Sequence, residues 1–151
     1  MRVCGGVLLA ASLAACSSDP IDDRGLSMAR VQWSRQQLTA YRFTWQRACV
    51  CAPEQTRPMR ATVVNDQITS AVYADDGTEV ADSDRRTVNT VDAVFDRLEM
   101  IAAERPAKLE VIYDPVLSYP TSALVDENSQ IADDEFLLQI SDLVALVAAS
   151  R

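Results

Sequence analysis

Hydrophobic and polar positions alternate cleanly over "YRFTWQRACVC", residues 41–51. Tyr41, Phe43, Trp45, Cys49 and Cys51 point one way, Arg42, Thr44, Gln46 and Ala48 the other, and Arg47 is the one break. A period of two marks a half-buried strand, here with three aromatics and both cysteines on its inward face. Just upstream, Ala29, Trp33 and Leu38 fall near one face of a predicted helix that starts around Leu26, with Ser27 as its N-cap. Pro53 and Pro58 bracket a predicted loop. "MRATVVND" and "QITSAVYAD" read as two strands joined around Asn65 and Asp66, a turn-prone pair. Residues 75–86 are polar throughout most of their length and read as a solvated loop. Val91, Val94, Phe95, Leu98, Ile101 and Ala102 then repeat at helical spacing, behind Asn89 or Thr90 as the cap.

The remaining segments are strands. "KLEVIYD" alternates with Leu109, Val111 and Tyr113 on one face, and "TSALVD" follows it. The end of the chain fits two periods: Phe136, Leu138 and Ile140 suit a strand, whereas Ile140, Leu143, Val144 and Val147 suit a helix. A strand to about Asp142 and then a helical or frayed tail is the expectation. Together these elements predict an α+β fold over residues 26–151, with an antiparallel sheet of about six strands and helices packed on one face. Each half would be one helix followed by about three strands.

Composition narrows the chemistry. The net charge is −8 and there is no histidine. An acidic surface repels phosphate backbones, so nucleic acid is not an expected partner. Without histidine, Ser-His-Asp and Cys-His mechanisms are excluded, along with the commonest zinc ligand. No recognisable catalytic constellation and no cofactor motif is present. The first residues look like an export signal: Arg2, then an apolar stretch over residues 3–13 too short to span a bilayer as a helix. It ends in "LAAC", which resembles a bacterial lipobox. That predicts a signal peptide over residues 1–15, acylation of Cys16, and a flexible tether over residues 16–25. The lipid bilayer is then a partner through Cys16, and an envelope protein is the second expected partner. Ser17 after the cysteine favours, by resemblance to lipoproteins of this kind, an outer-membrane address facing the periplasm.

Loss of residues 1–15 removes Cys4, and acylation consumes Cys16, which leaves Cys49 and Cys51 as thiols in an oxidising compartment. On a flat strand their Cα atoms would stand about 6.6 Å apart, near the roughly 6.8 Å limit for a disulfide. A structural staple therefore needs a bend at the strand end, which Pro53 makes reasonable. The alternatives are a thiol redox couple or a metal site using the same two residues. The thioredoxin pattern is Cys-x-x-Cys at a helix N-terminus, and this pair fits neither its spacing nor its setting. "YDPVLSYP", residues 113–120, reads as a rigid corner in which Asp114 caps the following turn. Tyr113, Asp114, Tyr119, Asp126, Asp134 and Glu135 form the candidate binding rim. Asp114 with Asp134 or Glu135 is the one carboxylate pair that suits a hydrolase, although acidic residues at loop and helix starts are usually caps. "DENSQ", from Asp126, starts like a calcium loop, but Ile131 stands where the sharp-turn glycine belongs, so an EF-hand is rejected.

"YRFTWQRACVCAPEQTRP", "YDPVLSYPTSALVD" and "IADDE" together resemble a family of exported bacterial proteins, domain-of-unknown-function family 6174. The matching residues are Trp33, Tyr41, Phe43, Cys49, Cys51, Tyr113, Asp114, Pro115, Tyr119, Pro120, Asp126, Asp134 and Glu135. The resemblance covers nearly all of the chain after the leader and implies no activity. One departure stands out: Ser118 occupies a place where the family pattern has glycine. If the turn needs positive φ there, serine costs about 1 kcal/mol.

Overall fold

The computed structural model describes residues 23–131 and 135–146. The leader, Cys16, most of the tether, Asp133, Asp134 and Val147 lie outside the described residues.

Six strands form one antiparallel sheet in the order β3-β2-β1-β6-β5-β4. They are β1 (Ala40–Ala48), β2 (Met59–Val64), β3 (Gln67–Tyr73), β4 (Lys108–Tyr113), β5 (Pro120–Asp126) and β6 (Phe136–Ala145). Helix α1 (Asp23–Arg35) precedes the first three strands and α4 (Val91–Glu104) the last three, so each half is a long helix followed by a three-strand meander. Two single-turn helices complete the set: α2 (Pro53–Thr56) lies between β1 and β2, and α3 (Asp82–Arg85) between β3 and α4. The halves join where β1 pairs with β6, Trp45 opposite Ile140 and Thr44 opposite Ser141.

The alternation read from the sequence places the core. Tyr41, Phe43 and Trp45 are buried, as are Met59, Ala61 and Val63 on β2, Ala123 and Val125 on β5, and Phe136, Leu138 and Ile140 on β6. Leu26, Ala29 and Trp33 of α1 and Val91, Val94, Phe95, Leu98 and Ile101 of α4 join the same cluster. Arg30 links the helices on their outer side, 2.6 Å from Asp96 and 3.0 Å from Glu99. These ion pairs are solvent-exposed and contribute on the order of 0–1 kcal/mol each. Thr90 caps α4, its Oγ1 accepting from Ala93 N. Asn65 and Asp66 both take positive φ, 51° and 57°, which a two-residue hairpin turn requires.

Six expectations about the elements are corrected. Helix α1 begins at Asp23, so Ser27 is an exposed residue inside it rather than its cap. It ends at Arg35, and Gln37 at φ 51° turns Leu38 onto the core from outside the helix. Strand β1 ends at Ala48, which puts Cys49 and Cys51 in the bend beyond it. The segment between Pro53 and Pro58 is helical at its start, because proline's fixed φ suits a first helical position. Residues 75–86 are not simply solvated: Glu79 bridges to Val72, Val80 is buried and α3 follows.

Strand β6 also runs past Asp142 to Ala145. Asp142 has φ 53° and sits where the β1–β6 register shifts, so it adds one residue and resets the alternation. Leu143 thereby returns to the core side, three residues after Ile140, and this spacing imitates a helix.

Candidate functional site

Residues far apart in sequence meet in one place. Trp33 from α1 stacks edge-on against Tyr41 of β1 at 5.5 Å between ring centroids, and against Tyr119 at 6.2 Å. Tyr41 is 1% exposed, and its hydroxyl accepts from Val91 N at 3.0 Å, taking up an N–H that the first turn of α4 cannot satisfy itself. Trp33 Nε1 donates to Asp92 Oδ2 at 3.2 Å. Burial drives the Tyr41 hydroxyl pKa upward, with the charge of Asp92 adding to it. Burial likewise raises Tyr119, assisted by Asp114. This cluster braces α1, β1, the α4 N-terminus and the start of β5.

The "YDPVLSYP" segment is the corner that delivers Tyr119. Asp114 Oδ1 accepts from Val116 N at 2.9 Å and Leu117 N at 2.7 Å, while Ser118 N returns to Asp114 O at 3.0 Å. Ser118 has φ 63°, the left-handed conformation that favours glycine. Its buried Oγ donates to Gln32 Oε1 at 3.1 Å, which ties the corner to α1 and offsets part of the conformational cost.

The candidate rim does not assemble. Tyr119 is 6% exposed and turned into the brace, and Tyr113 packs partly buried against the core. Asp114 belongs to the β4–β5 corner, whereas Asp126 ends β5 and the exposed Glu135 precedes β6 at the other end of the sheet. At about 3.3 Å per residue, the two ends are on the order of 15–20 Å apart. Asp114 and Glu135 therefore do not form a carboxylate pair, and Asp134 lies outside the described residues. Asp126 Oδ1 is buried without a hydrogen-bond partner among the described residues.

Cys49 and Cys51 are joined by a disulfide with Cα atoms 5.4 Å apart, shorter than the flat-strand spacing because the chain bends there. Cys51 N donates to Cys49 O at 3.0 Å, and Gln46 Nε2 reaches Thr56 O at 3.2 Å, so α2 folds back on the end of β1. Cys49 packs against the core.

Two features escaped the sequence reading. A depression of about 350 Å³ opens where β5 and β6 diverge at the Asp142 bulge, lined by Thr44, Gln46, Thr121, Gln139, Ser141 and Asp142 together with Ile140 and Tyr119, the one predicted rim residue that reaches it. On the core side, Arg47 and Arg97 lie over the ring of Phe136, their guanidinium carbons 4.9 Å and 5.0 Å from its centroid. The only advance sign of the second was Arg47 itself, the break in the β1 alternation.

Among the described residues no helix is long and apolar enough to cross a membrane. Residues 25–145 match the model of a family described as "Family of unknown function (DUF6174)", and the chain belongs to that family. No curated protein and no solved structure matches it.

Proposed function

We propose that this member of the DUF6174 family is a lipid-anchored envelope protein of the periplasmic side, and that its domain is a binding or accessory module rather than a thiol or carboxylate enzyme. One observation carries the second part: the side chains that looked chemical are engaged in holding the fold. Cys49 is bonded to Cys51, Asp114 caps a turn, and Trp33, Tyr41 and Tyr119 pack on one another.

In this reading α1 and α4 cover one face of the sheet. The other face is left for a partner, with Thr44, Gln46, Gln139 and Ser141 around its central depression. Its hydroxyls and amides suit a hydrogen-bonding protein surface. The anchor rests on the "LAAC" motif. Helix α1 starts at Asp23, a few residues past Cys16, so a tether of this length holds the domain within about 15 Å of the bilayer.

Both parts are open to test in cells. Radiolabelled palmitate should enter the wild-type chain and not Cys16→Ser, and equal labelling of both would remove the anchor. A photo-crosslinking residue at Gln139 should give a discrete protein adduct. The same smear as from exposed Val50 would remove the open face as a docking surface.

A further inference from the structure

Arg47 stands at a core-face position of β1, two residues beyond buried Trp45 and opposite Leu138 of β6. A guanidinium at such a position is expected to find a carboxylate, because a half-buried charge without one is costly. Arg30, Arg57 and Arg85 all have one. Arg47 has none among the described residues, and neither does Arg97, the cation nearest to it. Arg47 Nε is buried with no acceptor among the described residues. The face of Phe136 attracts both cations but accepts none of their edge N–H groups in the plane of the fork. Burial, and after it the repulsion of Arg97, pulls the Arg47 pKa below its usual value.

Around the pair, Trp45, Thr87, Asn89 and Leu138 leave a space of about 20 Å³, enough for one water-sized group. Two guanidinium forks without a carboxylate, an amide at the wall and a gap of that size suit a single anionic oxygen. We infer that Arg47 and Arg97 form a receptor for a carboxylate that places one oxygen in this gap beside Phe136, with Asn89 as its polar wall; the Thr87 hydroxyl is already donated to Asp84 O. The carboxylate lies between two like charges, removes their repulsion and supplies the acceptor that Arg47 Nε lacks. The ligand is either a free small acid or a carboxylate side chain of a partner.

The test uses the full chain in non-ionic detergent. Arg47 and Arg97 Nε–Hε signals and the Trp45 indole signal are followed by NMR during titration with acetate or with a blocked peptide carrying one glutamate. Sodium chloride at matched ionic strength is the control. Saturable shifts of all three signals are expected, with acetate binding marking a free acid and peptide binding alone marking a partner side chain. Arg97→Gln should weaken binding at least about tenfold, and Arg97→Lys, which keeps the charge but loses the fork, by a smaller factor. Shifts that merely track ionic strength, or unchanged affinity in both variants, would overturn the inference. So would binding that appears only in Asp133→Asn/Asp134→Asn, since the chain's own carboxylates would then be the ligand. Cys16→Ser should leave acetate binding intact, so failure of the lipid anchor and failure of this site are separate results.

Discussion

Two clusters of aromatic and polar side chains lie on the same face of the sheet, one near each end of β1, and they follow opposite rules. In the brace, Trp33, Tyr41 and Tyr119 pack edge to face, and the polar atoms that enter the core have partners: Tyr41 Oη takes Val91 N–H and Trp33 Nε1 reaches Asp92. At the other end Phe136 carries two cations, and Arg47 Nε has no acceptor among the described residues. A satisfied buried network fixes one structure, whereas an unsatisfied one costs stability. The aromatics of the brace serve the fold, whereas the charge that interrupts the β1 alternation lacks the partner such a position calls for among the described residues.

The largest break in this comparison is Trp33→Ala. It removes the ring that joins α1 to both tyrosines and should cost about 3–5 kcal/mol in urea unfolding. A loss near that of an exposed substitution would mean that the brace does not hold the helices. Tyr41→Phe keeps the ring and leaves Val91 N without its acceptor, for a loss of about 1–3 kcal/mol.

The same hydroxyl sets a pH dependence. Its folded pKa is raised above the unfolded value of about 10, so the contribution is complete below about pH 10 and is lost as pH rises further. Thermal midpoints should fall on the alkaline side in wild type and fall less steeply in Tyr41→Phe; parallel curves would sink that assignment.

Smaller effects sharpen the picture at the edges. Replacing both Cys49 and Cys51 by serine opens a very small loop and should cost about 1–2 kcal/mol, with the fold retained by circular dichroism. Ser118→Gly relieves the left-handed strain but deletes the hydrogen bond to Gln32. The terms nearly cancel, and the change in unfolding free energy should stay within about 0.5 kcal/mol.

Much of this was legible because it rests on local periodicity. The alternation of Tyr41, Phe43 and Trp45, the helical repeat from Val91, and Thr90 before it each depend on neighbours in sequence, and each sits where its pattern placed it. Asp142 shows how such reading fails: one inserted residue in left-handed geometry resets a period of two, and the strand's end looks helical. Val80 was hidden by the acidic residues around it, although pairing of Glu79 with Val72 carries it into the core. The candidate rim failed for another reason. Asp114 and Glu135 are both acidic and both near strand ends, but antiparallel order sends those ends to opposite sides of the sheet. Arg47 and Arg97 come from β1 and α4 and meet over the ring of Phe136 of β6, and no spacing in the sequence announces that.

The contrast between the two clusters is tested most directly by the stability of Arg47→Met, measured by urea unfolding without added carboxylate. A guanidinium kept for a ligand is a liability when the ligand is absent, so replacement by an apolar chain of similar length should leave stability unchanged or raise it by about 1 kcal/mol. A loss of about 2 kcal/mol or more would place Arg47 among the residues that hold the fold, and the contrast between the two clusters would be gone.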